Sequence, residues 1–406
     1  MRKNKPVSII IAVMLLAATL AISALSTRRH VPQKPVQTAA TPSQAVATAT
    51  APDDMRGVWI TYMELSMENE ADKSEAAFRK KFEKIADDCV SFGFNTLIVQ
   101  VRPFGDALYP SKLYPASHIL TGEQGKSPGY DALKIMCESC RKRGLSLHAW
   151  INPYRVTASQ TPAKLSADNP YRKNPSIGIK TESGIILNPA DETARQLIVD
   201  GVREIVSQYP VDGIHFDDYF YPTDIGDADS GSYEAYRQTV PQDAAMDLSD
   251  WRRANVNLLV AETYLTVHRY SQTAVFGISP QGNLGNNAQL YADVESWCRA
   301  KGYLDYICPQ LYFSLDNPAL RFADALGAWT DLDFAADVKL YVGLAGYKAG
   351  TDADSGTWQA HDDILSQELI MLNSNQNVNG FMLYSYSSLH DEAAKDEMQN
   401  LKKVLP

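Results

Sequence analysis

The segment Val211-Asp-Gly-Ile-His-Phe-Asp-Asp-Tyr-Phe-Tyr-Pro222 carries the pattern that decides the fold. Apolar and polar side chains alternate through its centre, at Ile214, His215, Phe216 and Asp217. An alternation with a period of two predicts a β-strand, and a second carboxylate, Asp218, follows directly. A buried strand that ends in two carboxylates is typical of β/α barrels, where the carboxyl ends of the strands carry the reaction site.

Around this segment, short β-branched or aromatic runs alternate with amphipathic stretches. Strands are expected at residues 58–62, 96–101, 145–151, 213–216, 274–279, 306–311, 340–344 and 380–384. Helices are expected at residues 75–91, 130–143, 192–208, 250–270, 293–301, 318–329, 362–373 and 392–403. Eight strands, each followed by a helix, predict a (β/α)8 TIM-type barrel of the α/β class. An open doubly wound sheet would show a glycine-rich phosphate loop after its first strand, and the sequence has none there.

Two further patterns predict where a binding surface lies. On the third strand, His148, Trp150 and Asn152 share one face and apolar residues share the other, so polar groups are expected inside the upper barrel. Long connections on the C-terminal rim often build binding surfaces. Three of them follow predicted strands, at residues 102–129, 152–191 and 219–249.

The N-terminal part of the chain differs in composition from the rest. Basic residues flank an apolar stretch at residues 7–25, which is the layout of a secretion signal and is also close to the ~18–20 residues that span a bilayer. Residues 1–30 are therefore expected to be a signal peptide or a signal anchor. Residues 31–52 are rich in Pro, Thr and Ala and predict a disordered linker. The folded domain is expected at residues 53–406, either secreted or tethered through residues 7–25 to the outer face of the cytoplasmic membrane.

The domain is acidic, and this limits its partners. Six of the 38 basic residues and none of the 48 acidic residues precede Asp53, so the remaining chain has a net charge of −16. Nucleic acid and anionic lipid are not expected as partners, whereas uncharged or cationic substrates fit. The five cysteines are too few and too odd in number for a disulfide framework. The C-x-x-C at Cys137 and Cys140 lies in a predicted helix, which favours a structural role.

Asp217 and Asp218 are the candidate catalytic residues. Glycosidic cleavage needs a protonated carboxyl at the leaving oxygen and a second group that stabilises the cationic sugar. Neighbouring side chains on a regular strand point in opposite directions, so the two carboxylates share a site only where the strand has ended or is bulged. A capping role for Asp218 and a core role for His215 remain open, and Glu64 is a weaker third carboxylate candidate.

The other residues at predicted strand ends combine planar aromatics with neutral hydrogen-bonding groups, which suit sugar rings. The candidate substrate-binding residues are Arg102, Gln100, His148, Trp150, Asn152, Tyr154, His215, Tyr219, Gln310, Tyr312 and Tyr384. No H-x-H pair, G-x-S-x-G, H-E-x-x-H or P-loop is present, so no catalytic metal and no cofactor are predicted. Residues 227–234 faintly resemble a calcium loop, but their spacing does not match the EF-hand pattern.

These strand ends resemble the bacterial glycosyl hydrolase-like 10 family. The matching stretches are MRGVWIT (55–61), NTLIVQVR (95–102), LHAWINPYR (147–155), DGIHFDDYFYP (212–222), GISP (277–280), DYICPQLY (305–312) and GFMLYS (380–385). The resemblance implies a barrel glycosidase of the cell wall, and at least one relative is understood to cut peptidoglycan strands stripped of their stem peptides. It implies a catalytic centre at Asp217 and Asp218, with Arg102, Asn152, Tyr154 and Gln310 around it. Unlike lipoprotein members, this chain has no cysteine placed for lipid attachment.

Three functional hypotheses follow. The first is an extracytoplasmic glycoside hydrolase that cleaves cell-wall polysaccharide, with N-acetylated peptidoglycan strands as the expected substrate. Because peptidoglycan sugars carry 2-acetamido groups, a substrate-assisted route is one form of it. The second is a non-catalytic glycan-binding or wall-organising barrel, because a fold alone does not fix a function. The third keeps the chemistry and changes the sugar to an α-glucan or a plant polysaccharide.

Overall fold

The computed structural model describes residues 49–405. The strands are β1 Met55–Ile60, β2 Thr96–Arg102, β3 Ser146–Ile151, β4 Arg155–Ala158, β5 Gly178–Thr181, β6 Gly184–Leu187, β7 Gly213–Phe216, β8 Val275–Ile278, β9 Tyr306–Ile307, β10 Lys339–Leu340, β11 Val342–Leu344 and β12 Gly380–Leu383. The α-helices are Tyr62–Leu65, Glu75–Phe92, Ala132–Arg141, Pro170–Lys173, Glu192–Gln208, Ser230–Thr239, Leu248–Tyr270, Val294–Arg299, Phe322–Thr330, Ala353–Gly356, Ile364–Asn373 and Lys395–Val404. Short 3₁₀ helices lie at His118–Leu120, Pro175–Ile177, Leu284–Leu290, Gly346–Lys348 and Tyr386–His390.

The main sheet is a closed parallel barrel. Its strand order is β10-β9-β8-β7-β3-β2-β1-β12-β11, and every pairing in it is parallel. The two ends of this order, β10 and β11, are separated in the chain only by Tyr341, so they occupy one strand position and close the ring. The barrel therefore has eight strand positions, and the predicted (β/α)8 fold is confirmed.

The two faces of the strands separate into an outer and an inner apolar layer. Leu147, Ala149 and Ile151 on β3 pack in the large cluster between the barrel and its helices. Trp150 packs instead with Tyr306 and other inner residues in a second cluster within the barrel. Burial on both faces is what a parallel barrel demands of its strands, and the predicted inward orientation of the polar face of β3 is confirmed.

Local signals fix the helix ends. The Asp191 side chain accepts a hydrogen bond from the Ala194 N–H at the start of helix Glu192–Gln208. Asp247 caps helix Leu248–Tyr270 in the same way. Helix Glu75–Phe92 ends at Gly93, whose φ of 114° is a conformation that favours glycine. Such caps satisfy backbone groups that the helix itself leaves unpaired.

The predicted sixth strand is much shorter in the structure than in the sequence interpretation. It was expected at residues 306–311, but β9 ends at Ile307. Pro309 has no backbone N–H and cannot continue the ladder as a donor. The chain nevertheless stays in place, because isolated bridges join Gln310 to Gln281 on one side and to Gly343 on the other.

A small antiparallel sheet stands on the C-terminal rim, where the sequence predicted only a long loop. Its order is β4-β6-β5, and it lies within the connection that follows β3. The turn between β5 and β6 requires Gly184, whose φ is 144°. A Cβ at this position would lie 2.5 Å from the Thr157 carbonyl oxygen, so no larger residue fits. This sheet forms one wall of the site described below.

The chain enters the barrel from the amino ends of the strands. Ala51 is only 3% exposed and packs in the inner cluster with Met55 and Tyr341. The Tyr341 hydroxyl donates to the Pro52 carbonyl oxygen at 2.5 Å. Residues 49–52 therefore cover the lower opening of the barrel, directly ahead of the domain expected at residues 53–406.

The predicted signal or anchor at residues 1–30, and the predicted linker up to residue 48, lie outside the described residues. Within residues 49–405, none of the helices combines the length and the apolar character that crossing a bilayer requires.

Candidate active site

A cavity of about 920 Å³ opens at the carboxyl ends of the barrel strands. Its floor and walls come from residues in or just after six of the barrel strands, and from the small antiparallel sheet. Those that bear on the chemistry are Gln100, Trp150, Asn152, Arg155, Glu182, Ser183, Asp217, Asp218, Tyr219, Asp224, Gln281 and Tyr384. This is the place where barrels of this class carry their reaction sites.

Asp217 lies at the bottom of the cavity and is 3% exposed. Its Oδ2 accepts from Trp150 Nε1 at 3.3 Å and from Asn152 Nδ2, and its Oδ1 accepts from the Tyr219 backbone N–H at 3.3 Å. Burial raises the pKa of this carboxyl to about 7, because the charged form is poorly solvated. The neighbouring Asp218 also raises this pKa, whereas Arg155 opposes the rise.

Asp218 is held on its other side by two amides. Gln310 Nε2 donates to Oδ1 at 3.1 Å, and Gln281 Nε2 donates to Oδ2. Burial raises the pKa of Asp218 as well, but both amide hydrogen bonds favour the ionised form and oppose that rise. The two neighbouring carboxyl groups therefore have different environments. Such a difference allows one carboxyl to act as a proton donor while the other is ionised.

Both carboxylates face one cavity because the strand has ended. β7 stops at Phe216, and the Phe220 N–H donates to the Asp218 carbonyl oxygen at 3.0 Å in a tight turn. Asp217 then leans towards the residues of β3, while Asp218 leans towards the residues that follow β8 and β9. Because the strand has ended, the two carboxylates can act together in one site.

A chain of amides supports Asp217. Gln100 Nε2 donates to Asn152 Oδ1 at 2.6 Å, and Asn152 donates in turn to Asp217. Gln100 Oε1 also accepts from the Tyr62 N–H at 3.0 Å. Since each amide oxygen of Gln100 and Asn152 accepts a hydrogen bond and each amide nitrogen donates one, the amide orientations are fixed and Asp217 keeps one position.

Two of the predicted site residues lie below the cavity and do not line it. His148 Nδ1 and His215 Nδ1 are both 2.9 Å from the Tyr306 hydroxyl, and His215 Nε2 is 2.9 Å from Ser279 Oγ. Burial lowers the pKa of His148 to about 3 and holds that of His215 well below its usual range. Both imidazoles are therefore neutral, and they form a hydrogen-bonded layer beneath the carboxylates.

The predicted aromatic site residues occupy two kinds of position. Tyr219 and Tyr384 line the cavity, and Tyr219 is 56% exposed. Tyr312 stands behind Tyr384, with a ring-to-ring distance of 5.8 Å. Gln310 reaches the site through its hydrogen bond to Asp218.

Arg102 and Tyr154 lie on the outer side of the barrel, so the expectation that they surround the carboxylates is wrong. The register of β2 against β3 shifts between Gln100 and Arg102, and this bulge turns Arg102 outwards. Its guanidinium lies 4.5 Å from the centre of the Tyr114 ring and packs against Gly201 of helix Glu192–Gln208. Tyr154 is fully buried in the outer layer of the core.

Arg155 is the site residue that sequence reasoning missed. Its guanidinium lies 4.0 Å from the centre of the Tyr219 ring, and its charge opposes the rise in the pKa of both aspartates. The signal was its place at the end of the Leu147–Arg155 stretch, three residues after Asn152. A regular continuation of the strand would not have brought it back over the cavity, but the turn into β4 does.

The wall of the cavity is fastened at the tip of the small sheet. The Ser183 backbone N–H donates to Asp224 Oδ2 at 3.0 Å, and Ser183 Oγ donates to Oδ1 at 3.2 Å. Asp224 belongs to the segment after β7, so this contact joins two of the three long rim connections. Glu182 lines the cavity beside it.

The remaining carboxylates that the sequence pointed to have structural partners. Glu64 accepts hydrogen bonds from Ser385 Oγ at 2.9 Å and from the Ser387 N–H at 2.6 Å. Asp229, within the predicted ion loop, forms a buried ion pair with Arg252 at 2.5 Å. Among residues 49–405, no group of three or more His, Cys, Asp or Glu side chains is arranged to hold a metal ion.

The chain is similar in sequence to known glycosyl hydrolases. The sequence model of the family described as glycosyl hydrolase-like 10 matches residues 54–359. The glycosyl hydrolase YngK of Bacillus subtilis (strain 168) is 36% identical over 367 residues, which cover 85% of this chain and 70% of that protein. The glycosyl hydrolase DigH of Escherichia coli (strain K12) is 30% identical over 383 residues, covering 86% of this chain and 85% of that protein.

Solved structures share the fold at low sequence identity. The PgaB (BpsB) glycoside hydrolase domain of Bordetella bronchiseptica has a TM-score of 0.58 at 13% identity, covering 87% of this chain and 99% of that domain. The α-L-fucosidase isoenzyme 2 of Paenibacillus thiaminolyticus has a TM-score of 0.53 at 12% identity, covering 86% of this chain and 49% of the other. These likenesses extend over the whole barrel.

Proposed function

The chain belongs to the glycosyl hydrolase-like 10 family and is a glycoside hydrolase, and we propose that its substrate is the N-acetylated glycan of the bacterial cell wall, cleaved outside the cytoplasmic membrane. The observation that carries the chemistry is the pair Asp217 and Asp218, which share one cavity in different environments. Membership of the family favours catalysis over the non-catalytic alternative.

Asp217 is the proton donor in this proposal. A general acid must hold its proton at working pH and release it in the transition state, so a pKa near the working pH is the most effective. Burial gives Asp217 a pKa of about 7. The acid donates its proton to the glycosidic oxygen as the bond from that oxygen to C1 breaks.

Asp218 is the anion that stabilises the reacting sugar. Its hydrogen bonds from Gln281 and Gln310 favour the charged form and fix the direction of the carboxylate. In the substrate-assisted route, Asp218 accepts a hydrogen bond from the acetamido N–H, and the acetamido oxygen bonds to C1 as the leaving group departs. Water then attacks C1 and breaks the bond between C1 and the acetamido oxygen, while ionised Asp217 takes a proton from the water and is ready for the next cycle.

The rest of the cavity suits a neutral polysaccharide. Trp150, Tyr219 and Tyr384 present aromatic faces, on which the C–H surfaces of sugar rings stack. Gln100 and Asn152 each donate one amide N–H within the chain that supports Asp217, so we assign them to positioning the acid. The basic and apolar N-terminal residues support a location outside the cytoplasmic membrane, either secreted or tethered.

The test is the cleavage of defined glycans by the purified protein. Peptidoglycan strands with and without stem peptides, and an α-glucan for comparison, are incubated with the enzyme, and products are followed by mass spectrometry. We expect the wild type to cleave the naked strands and Asp217→Asn and Asp218→Asn to lose this activity while retaining binding. Asp168→Asn is the matched control, because Asp168 is an exposed aspartate of the same rim outside the cavity.

Two results would contradict the proposal. Cleavage of the α-glucan but not of any peptidoglycan strand would assign a different sugar. A covalent adduct between the sugar and either aspartate, trapped and seen by mass spectrometry, would exclude the substrate-assisted route, because in that route C1 bonds to the acetamido oxygen and never to the enzyme.

A further inference from the structure

We infer that Tyr312, Tyr347 and Tyr384, named here the tyrosine platform, bind a sugar ring of the glycan away from the cleavage point, so that the enzyme holds its substrate on both sides of the carboxylates. This inference rests on the proposed function and deepens it. It predicts cleavage within a chain in preference to removal of terminal sugars.

The tyrosine platform is a compact cluster that continues the cavity outwards. The three rings lie 5.7 to 5.8 Å apart from centre to centre. Tyr384 lines the cavity, whereas Tyr347 lies beyond its lining and is 45% exposed. A partly exposed ring that is packed against a ring of the cavity offers a stacking surface next to the reaction site.

Hydrogen bonds of its backbone and of the next residue hold Tyr347 in position, although its ring is partly exposed. Its backbone N–H donates to the Tyr384 carbonyl oxygen at 3.1 Å. The next residue, Lys348, donates from Nζ to the Tyr312 carbonyl oxygen at 2.7 Å and to Asp354 Oδ1 at 2.8 Å. Because its backbone and its neighbour are both tied to the other two tyrosines, the exposed ring is ordered before a ligand binds.

Asp354 joins Lys348 to two further residues, and its own backbone has an unfavourable conformation. Its Oδ2 accepts from the Ser314 N–H at 3.1 Å and from Trp358 Nε1 at 2.9 Å. Asp354 and Ser355 both have the left-handed conformation, with φ of 53° and 63°. Strained backbone persists where the surrounding structure enforces it, and it clusters at binding sites. Here it places the carboxylate that accepts a hydrogen bond from Lys348, the residue after Tyr347.

The location on the barrel explains why a long glycan is needed. Tyr347 follows β11, and the small sheet with Arg155 and Ser183 follows β3. In the ring of eight strand positions, β11 and β3 are diametrically opposite. A polysaccharide that contacts the small sheet and the tyrosine platform therefore crosses the mouth of the barrel and passes over Asp217 and Asp218. A sugar chain that ends at the carboxylates reaches only one of the two surfaces.

The ligand chemistry of the tyrosine platform is that of a neutral ring with an apolar face. Tyrosine faces stack on the C–H surface of a pyranose, and the hydroxyl at the ring edge is free to bond a sugar hydroxyl. Lys348, the cation next to the tyrosine platform, is engaged by Asp354 and by a carbonyl oxygen, so it offers no site for an anion. The acidic charge of the domain likewise disfavours an anionic ligand.

The experiment compares long naked peptidoglycan strands with the shortest fragment that the wild type still cleaves. The variants are Tyr347→Ala, Tyr347→Phe and Tyr270→Ala. Tyr270 is the matched control, since it is 44% exposed on a helix outside the cavity. For Tyr347→Ala we expect kcat/KM on long strands to fall about tenfold, the loss of one stacking contact, and the preference for long over short substrates to fall by the same factor. Tyr347→Phe keeps the ring and should restore most of that preference.

Equal losses on long and short substrates, or no loss on either, would overturn the inference. If the wild type cleaves no glycan, the proposed function fails instead, and binding decides the inference separately. In that case the dissociation constants of long strands are compared for the wild type and Tyr347→Ala by calorimetry. Weaker binding by the variant, with Tyr270→Ala unchanged, supports the tyrosine platform, and equal binding refutes it.

Discussion

Replacing Asp217 by asparagine should make the protein more stable at neutral pH while it removes activity. Folding raises the pKa of this carboxyl from 3.8 to about 7 because the side chain is buried. The folded state therefore holds the proton more tightly than the unfolded chain does. The contribution of Asp217 to wild-type stability must fall as the pH rises from about 4 to about 7, and it stays at the lower level above that range.

The magnitude follows from the pKa change. At about 1.4 kcal/mol for each pH unit, a rise of about three units destabilises the wild type by about 4 kcal/mol above pH 7. Asparagine keeps the size of the side chain and one of its two accepting oxygens, and it has no charge to desolvate. The loss of the other acceptor costs the same at every pH, so the difference in free energy of unfolding should shift by about 4 kcal/mol in favour of Asp217→Asn between pH 4 and pH 8.

The assay is equilibrium unfolding in urea at a series of pH values from 4 to 8, with the slope against denaturant held common to both proteins. Comparing the two proteins at each pH removes the contribution of all other titrating groups. Asp168→Asn, an exposed substitution of the same type, should show no such trend. A difference in free energy of unfolding that stays constant between pH 4 and pH 8 would refute the reasoning, because Asp217 would then titrate as in the unfolded chain.

Three further predictions concern activity and packing. If Asp217 is the acid, kcat/KM should fall about tenfold per pH unit above pH 7, as its proton is lost; a profile that stays flat to pH 9 would assign the proton to another group. Arg252→Met leaves Asp229 buried without its partner and should lower the free energy of unfolding by about 3–5 kcal/mol, measured by urea unfolding, and a loss below about 1 kcal/mol would contradict this. Arg102→Leu should lower the melting temperature without changing KM, because Arg102 packs against Gly201 outside the cavity, and a several-fold rise in KM would show that it contacts substrate.

Much of the barrel was predictable because it depends on local periodicity. Strand Gly213–Phe216 and helix Glu192–Gln208 have the predicted bounds, since an alternating run and an amphipathic run are each closed by clear end signals. The antiparallel sheet after β3 was missed. Its strands have only four residues each and are partly exposed, so they show no alternation long enough to separate them from a loop.

The site was predictable at its centre and less so at its edges. The position of Asp217 and Asp218 follows from the end of one strand, which the sequence marks. The outward turn of Arg102 depends on a bulge, and a bulge arises from the pairing of two strands and not from either strand alone. Tyr347 was missed because its role comes from packing against rings that are close only in the folded barrel.

Residues 49–52 close the lower opening of the barrel, and the cavity opens at its other end. The chain joins the barrel at the end opposite the carboxylates, where the Pro52 carbonyl oxygen accepts a hydrogen bond from the Tyr341 hydroxyl. Ala49, the first described residue, therefore lies at the end of the barrel opposite the cavity. For the same reason, a tag fused directly ahead of Ala49 should leave the cavity open to the substrate.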